Sequence, residues 1–248
     1  MILLKSKSEL DLMRESGRKL ASVLERVKGI IKPGVTTGEI DSLAEELIRQ
    51  EKAIPAFKGY RGYPAATCTS VNEVVVHGIP GSQKLKDGDI ISIDLGLEYK
   101  NYFSDATFTV GVGKIDSKAK KLIEVTRDSL NEGIKAAKPE NRLGDISHAV
   151  QKYVEKNGFS VVRQFVGHGI GRSLHEEPEV PNFGRQGRGE ILKPGMVLAI
   201  EPMVNMGTWE CEVLEDGWTA VTSDKKLSAH FEHTVAIMED GPEILTKL

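Results

Sequence analysis

The chain has 248 residues, which is enough for one large domain or two small ones. Hydrophobic residues make up 40% and charged residues 28%, as in an ordinary globular protein. The net charge of −3 argues against a broad phosphate-binding face, so we expect no specific nucleic-acid partner. No apolar run reaches the length of a signal peptide or a membrane span, which favours a cytoplasmic protein with no membrane partner. The cysteines, Cys68 and Cys211, lack metal or redox spacing.

Two pairs of helices alternate with strands along the chain. The first helix is predicted over residues 9–28. A second follows a Lys-Pro loop, and Thr36 and Glu39 form a capping-box pair at its start. A third helix is predicted over residues 117–136, and a fourth follows a second Lys-Pro loop within residues 138–156. The order of helix, helix and strands therefore occurs twice, which indicates an α+β domain.

The two halves also resemble each other in sequence. Residues 32–50 align with residues 138–156 at an offset of 106. The strand segment LKDGDIISIDL aligns with LKPGMVLAIEP at an offset of 107, which pairs Asp94 with Glu201. A carboxylate is thus predicted at the end of the same strand in each half, beside one shared cleft. We expect one domain, 1–248, with halves of roughly 1–110 and 111–248.

The first strands carry two aspartates. The segment 91–110 contains two runs that alternate apolar and polar residues, which predicts a hairpin. If the two turn residues are Tyr99 and Lys100, Asp94 faces Asp105 directly. Opposed carboxylates on an apolar hairpin need a shared proton or a cation between them. For two aspartates alone a solvated surface hairpin is the better interpretation, so the choice depends on further ligands elsewhere.

Three further polar residues lie within apolar, strand-like segments. His168 lies in the glycine-rich FVGHGIGRSLHEEP, Glu201 follows MVLAI, and Glu232 lies in HFEHTVAI. Each is costly to bury unless it is paired. With Asp94 and Asp105 they form an oxygen-rich set with one nitrogen, which suits two divalent ions such as Mn, Fe, Co or Zn.

These residues lie in motifs that resemble a known family. The chain is similar over essentially all of its length to type I methionine aminopeptidases of the bacterial kind. Together the motifs are highly specific, whereas each alone would be moderately so. They are NEVVVHGIP (72–80), GDIISIDLG (88–96), NYFSDATFTV (101–110), GHGIGRSLHEEP (167–178), MVLAIEPM (196–203) and FEHTVAI (231–237).

The resemblance implies a fold and a metal centre. The fold would be the α+β pita-bread fold, with two pseudo-two-fold-related halves and a central antiparallel sheet flanked by helices. Two divalent ions, drawn from Co, Mn, Fe, Zn or Ni, would activate a bridging water. Their ligands would be Asp94, Asp105, His168, Glu201 and Glu232. Of these, Asp105 and Glu232 would bridge both ions, Asp94 would bind one, and His168 and Glu201 the other.

It also implies roles around the metals. His175 would hydrogen-bond the scissile carbonyl, His77 would contact the substrate backbone amide, and Glu201 would shuttle a proton. The pocket for the methionine side chain would include Tyr60, Tyr63, Cys68 and Trp218. A monovalent cation, Na or K, is expected at backbone carbonyls near Asn72, Val74 and Ser228.

Two positions depart from the family pattern. Residue 174 is Leu where relatives commonly carry an aromatic residue, and residue 230 is His where Gln is usual. His230 shares a predicted strand face with Glu232, so it is expected to approach the metal site. Neither departure removes a ligand.

The resemblance implies an aminopeptidase that removes the initiator methionine from nascent chains and prefers a small second residue. We expect a monomer that makes a transient ribosome contact. One alternative is a proline-directed peptidase of the same fold, although such enzymes usually carry an additional N-terminal domain. Another is a non-enzymatic ribosome- or RNA-binding protein, although such relatives tend to lose ligands and gain basic patches.

Overall fold

A computed structural model describes residues 2–247. The helices of this range are α1 (Lys7–Lys28), α2 (Thr37–Gln50), α3 (Ser117–Ala136) and α4 (Leu143–Lys156), and a 3-10 turn spans Tyr60–Gly62. Its strands are β1 (Ile54–Pro55), β2 (Thr67–Val71), β3 (Val74–Val76), β4 (Ile90–Tyr99), β5 (Tyr102–Gly111), β6 (Ser160–Val161), β7 (Gly167–Gly169), β8 (Glu176–Val180), β9 (Val197–Ile200), β10 (Met203–Asn205), β11 (Cys211–Val213), β12 (Ala220–Thr222), β13 (Ser228–His230), β14 (Glu232–Met238) and β15 (Gly241–Ile244). Among these described helices, none is both long and apolar enough to span a membrane.

Two helices begin where the sequence predicts, whereas α1, predicted from residue 9, begins at Lys7. The Thr36 hydroxyl accepts a hydrogen bond from the Glu39 backbone N–H at 3.1 Å, and the Glu39 carboxylate accepts the Thr36 N–H at 2.7 Å. This capping box starts α2 as predicted. The third predicted helix, 117–136, coincides with α3, whose first turn is capped by the Asp116 carboxylate. The predicted α+β organisation is therefore confirmed.

A nine-stranded sheet forms the centre of the molecule. Its main path runs β1-β4-β5-β14-β9-β7-β8, with β2 added beside β4 and β15 beside β14, and all pairs are antiparallel. Two three-stranded sheets, β13-β10-β6 and β11-β12-β3, lie alongside it. The strands of the first half meet those of the second where β5 pairs with β14.

Strand alternation separates the hydrophobic core from the polar face of the sheet. On β4, Ile91, Ile93 and Leu95 are fully buried in a cluster with apolar side chains of α1 and α2. Asp94 alternates with them and lies on the opposite face. It sits in the middle of β4, not at the end of the strand as the repeat predicted, whereas Glu201 directly follows β9. The two halves therefore place their equivalent carboxylates differently.

The predicted register of the β4–β5 hairpin is wrong. The turn residues are Lys100 and Asn101, with φ of 51° and 65°, so that Asp94 pairs with Thr107 and not with Asp105. Two successive positive φ angles are typical of the type I′ turn, which commonly forms two-residue hairpin loops, and Asn tolerates this conformation. The two aspartates remain on one face as diagonal neighbours.

Equivalent backbone hydrogen bonds recur in the two halves. The Gly38 N–H donates to Gly81 O at 2.8 Å, and the Gly144 N–H donates to Arg188 O at 2.8 Å. A Cβ atom on Gly144 would lie 2.4 Å from Arg185 O, so this helix start requires glycine. The glycine shared by the two aligned segments thus marks a close backbone approach beside each helix start.

A second close approach predicts a stability effect. Gly17 lies in α1, and a Cβ atom there would lie 2.3 Å from Leu245 O. Gly17→Ala must displace α1 from the C-terminal segment, so we expect a loss of about 1–3 kcal/mol in the free energy of unfolding, measured by urea denaturation. Gly81→Ala is the control, because its Cβ would meet nothing within 4 Å. Equal stability of the two variants would contradict this packing.

Candidate metal centre

A cavity of about 160 Å³ opens on the polar face of the central sheet. It is lined by Phe57, Tyr60, Arg61, Tyr63, Cys68, His77, Asp94, Asp105, His168, Leu174, His175, Glu201, Trp218 and Glu232. The structure therefore brings together every predicted metal ligand, both predicted catalytic histidines and the predicted side-chain pocket. Phe57 and Arg61 are lining residues that sequence reasoning missed, because only the turn around Tyr60 brings them here.

Acidic side chains and one imidazole converge at one end of the cavity. Ligand atoms of Asp105, His168 and Glu232 all lie within 4.8 Å of one another, and all three residues are buried. Glu201 Oε1 lies 3.6 Å from His168 Nε2. Asp94 reaches the same cavity from β4. Residues separated by more than 100 positions in the chain thus meet because β5, β14, β9 and β7 are neighbours in the sheet.

Buried threonines hold the acidic residues in place. The Thr107 hydroxyl donates to Glu232 Oε2 at 2.9 Å across the β5–β14 pair. The Thr234 hydroxyl accepts the Asp105 N–H at 3.0 Å and donates to Asp105 O at 2.8 Å. Sequence reasoning missed these threonines, although strand alternation places each on the same face as its acidic neighbour.

Burial and mutual repulsion perturb the carboxylates. Burial raises the pKa of Asp94 to about 7. Burial, with the nearby Glu232 and Asp94 charges, raises the pKa of Asp105 well above its usual range. Burial and neighbouring carboxylates likewise raise the pKa of Glu201 and of Glu232. The four groups therefore resist ionising together unless cations compensate their charge.

The donor set fits divalent metal ions. Oδ1 of Asp94 and Oδ1 of Asp105 are buried, and neither has a hydrogen-bond partner within residues 2–247. Unpaired buried carboxylate oxygens are costly, and metal coordination removes that cost. Four carboxylates with one imidazole suit borderline ions such as Mn, Fe, Co and Zn.

His168 is oriented as a metal ligand requires. Its Nδ1 lies 2.9 Å from Gly169 O, and a carbonyl oxygen can only accept, so Nδ1 carries the proton. Nε2 is then left with a free lone pair facing the acidic cluster. Burial lowers the pKa of His168 to about 4, which keeps the imidazole neutral.

Two other histidines lie beside this cluster. The His175 ring lies against the His168 ring at a tilt of 45°, with ring centroids 4.2 Å apart, and its Nδ1 lies 2.9 Å from the Tyr60 hydroxyl. Burial is the main cause that lowers the pKa of His175 to about 3, and the neighbouring His168 lowers it further. Burial also lowers the pKa of His77, whose ring packs edge-on against Trp218 at 6.2 Å. Both rings are neutral hydrogen-bonding groups near pH 7.

The remaining lining of the cavity is mostly aromatic and apolar. Tyr63 packs edge-on against Trp218, with ring centroids 5.1 Å apart. The Tyr63 hydroxyl lies within hydrogen-bond distance of the backbone oxygens of Thr67 and Gly78. Cys68 is buried on β2, and burial raises the pKa of its thiol well above the usual value. The neutral thiol and the aromatic faces suit a thioether side chain.

The three residues expected near a monovalent cation lie outside the cavity lining. The Ser228 N–H donates to Asn72 O at 2.9 Å, so these two residues are neighbours. Val74 lies on β3, paired with Val221 of β12. Asn72 has a φ of 56°, which turns the chain between β2 and β3.

A buried ion pair supports the loop that carries His175. Lys5 Nζ contacts Glu176 Oε2, and their side chains are only 6% and 8% exposed. Glu176 Oε1 accepts the backbone N–H groups of Arg172 and Ser173, at 2.7 and 3.2 Å. The N-terminal segment is thereby tied to the loop that leads into the cavity.

Comparison with known proteins agrees with the fold. Residues 11–239 match the profile of Metallopeptidase family M24. The chain belongs to this family, whose members bind divalent metal ions, and it has the expected pita-bread fold.

Individual relatives match along the whole chain. The methionine aminopeptidase of Clostridium perfringens is 58% identical, with 99% of each chain covered. The crystal structure of methionine aminopeptidase from Thermotoga maritima superposes with a TM-score of 0.98 at 50% identity, and all of both chains is covered. The prolidase from Pyrococcus horikoshii has a TM-score of 0.81 at 24% identity, and only 64% of it is covered, so this likeness shows the fold alone.

The Lys5–Glu176 pair predicts a second stability effect. Lys5→Met leaves the Glu176 carboxylate buried without its cation, so we expect a loss of about 3–5 kcal/mol in the free energy of unfolding. Adding Glu176→Gln in the same chain should recover part of this loss in a double-mutant cycle. Lys7→Met, at an exposed neighbouring position, is the control. A Lys5→Met variant as stable as this control would show that the pair is dispensable.

Proposed function

We propose that this chain is a methionine aminopeptidase that hydrolytically removes the N-terminal initiator methionine from nascent proteins, with a preference for a small second residue. The observation that carries the proposal is the cavity itself, which joins an acidic, histidine-bearing end to an aromatic end containing Cys68. The 58% identity to a methionine aminopeptidase over nearly the full chain supports the same activity.

Two divalent ions per chain are proposed for the acidic end. Asp105 and Glu232 would contact both ions, Asp94 one, and His168 and Glu201 the other. Bound ions would supply Lewis-acid polarisation of the peptide carbonyl and would lower the pKa of a water molecule. The proposed ions are drawn from Co, Mn, Fe, Zn and Ni.

The surrounding side chains bind and orient the substrate. Neutral His175, at the cavity wall, is proposed to donate a hydrogen bond to the carbonyl oxygen of the scissile bond. His77 is proposed to hold the backbone amide of the substrate. Glu201 is proposed to accept a proton from the attacking water and deliver it to the leaving amine, because its carboxylate lines the cavity beside the other proposed ligands.

The aromatic end is proposed to select the first side chain. Tyr60, Tyr63, Cys68 and Trp218 would surround the methionine thioether. Leu174, at a position where the family that the sequence resembles commonly carries an aromatic residue, is 2% exposed and lines the same cavity. Its smaller side chain would alter the shape of this wall.

Further features belong to the same proposal. A Na or K ion would bind backbone carbonyls near Asn72, Val74 and Ser228. The protein would act in the cytoplasm as a monomeric single domain of two halves and would contact ribosomes transiently.

Metal removal tests the proposed activity. Chelation should abolish release of methionine from a Met-Ala-Ser peptide, and Mn, Fe or Co should restore it, measured by chromatography of the released amino acid. A matched Ala-Pro peptide should remain uncut, since it is the substrate class of the proline-directed alternative. Metal-loaded protein that leaves Met-Ala-Ser intact would refute the proposal, and failure to bind any divalent ion would favour a non-enzymatic binding protein.

The two aspartates should differ in their effect on metal content. Asp105→Ala removes a proposed ligand of both ions, whereas Asp94→Ala removes a ligand of one. We expect Asp94→Ala to retain roughly one ion and Asp105→Ala to retain few or none, measured by plasma mass spectrometry after equilibrium dialysis. Glu124→Ala, at an exposed position on α3, is the control. Equal metal content in the two aspartate variants would contradict the proposed bridging role of Asp105.

A further inference from the structure

A fourth histidine lies beside the metal centre without an assigned role. His230 ends β13 and is only 2% exposed. Its Nε2 is buried and has no hydrogen-bond partner within residues 2–247. Leaving a buried imidazole nitrogen unpaired costs roughly 1–3 kcal/mol, so a protein that places one there usually gains something elsewhere.

The backbone of His230 is held by contacts on both sides. The His230 N–H donates to Thr109 Oγ1 at 2.9 Å, and the Thr109 hydroxyl donates back to His230 O at 2.7 Å. Across the small sheet, His230 pairs with Met203 of β10. Contacts on both sides therefore fix the backbone from which the imidazole projects.

The ring points at Glu201. His230 Nε2 lies 3.7 Å from Glu201 Oε2, while His168 Nε2 lies 3.6 Å from Glu201 Oε1. Each carboxylate oxygen of Glu201 thus faces a different imidazole. The two rings differ chemically, because His168 uses its Nδ1–H on Gly169 O and presents a lone pair, whereas His230 Nε2 is free to carry a proton.

We propose that His230 is a positioning residue of the metal centre, whose Nε2–H donates a hydrogen bond to Glu201 Oε2 and keeps Glu201 Oε1 beside His168. The separation of 3.7 Å needs only a small rotation of the Glu201 side chain to reach hydrogen-bond length. Without that donor, Glu201 must be immobilised when an ion binds, which weakens binding. This inference rests on the proposed function, in which Glu201 binds metal.

Two substitutions separate the donor from the bulk of the ring. His230→Gln keeps an N–H donor of similar reach, and Gln is usual at this position in the family that the sequence resembles. His230→Leu keeps an apolar side chain and removes the donor. His148→Leu, on α4, controls for loss of a histidine far from the cavity.

Calorimetric titration of metal-free protein with Mn²⁺ is the main readout, because it does not depend on peptide hydrolysis. We expect His230→Leu to weaken binding by about 10–100-fold, as loss of a group that orients a ligand typically does, and His230→Gln to stay within a few-fold of the parent. Urea unfolding of each variant identifies any general loss of structure. With Met-Ala-Ser, His230→Leu should lower kcat at a nearly unchanged KM.

The same protein gives a second, independent readout. ¹⁵N NMR of histidine-labelled, metal-free protein should show His230 as the Nε2–H tautomer, and Glu201→Gln should shift that proton signal. Unchanged Mn²⁺ affinity in a folded His230→Leu variant, or the opposite tautomer, would overturn the proposal. Equal losses in the Leu and Gln variants would also overturn it, since His230 would then act as a metal ligand itself. Failure of the parent to cut Met-Ala-Ser would refute the proposed function, while the NMR comparison still tests His230.

Discussion

Repulsion among buried carboxylates is the constraint on which the rest of this structure depends. Asp94, Asp105, Glu201 and Glu232 line one cavity, and burial raises the pKa of each. Two unit charges 4 Å apart at a dielectric constant of 20 repel by about 4 kcal/mol, and four such groups multiply the cost. The raised pKa values relieve this repulsion by keeping protons on the carboxyl groups, and divalent cations would relieve it when the groups ionise.

Hydrogen bonds across the seam between the two halves of the sheet fix where these carboxyl groups lie. Where β5 meets β14, Glu232 pairs with Thr107, whose hydroxyl also holds the Glu232 carboxylate. Thr234 bonds both backbone polar groups of Asp105 across the same seam. Asp105 and Glu232 are thus held by hydroxyl groups from the opposite half. Loosening the seam would disturb the metal centre before it disturbed either half alone.

Sequence patterns predicted which residues form helices and strands better than they predicted how neighbouring strands pair. The capping box at Thr36 and the alternation around Asp94 are local, and both predict correctly which residues start a helix or leave the hydrophobic face. The register of the hairpin depended on a turn one residue further along, at Lys100 and Asn101, and hydrophobic alternation does not distinguish the two turns. The cavity wall at Arg61 depends on a positive φ of 49°, which no local pattern predicts.

The internal repeat explains the scaffold but not the chemistry of the site. Equivalent glycines at 38 and 144 make equivalent backbone contacts, so the halves share their architecture. The aligned carboxylates nevertheless differ. Asp94 lies within β4 as a diagonal neighbour of Asp105, whereas Glu201 follows β9 and faces imidazole nitrogens on both of its oxygens. Asp94 is therefore bordered by a second carboxyl group, whereas Glu201 is bordered by two imidazoles. A nearly symmetric scaffold thereby acquires the polarity that a peptide, which has two different ends, requires.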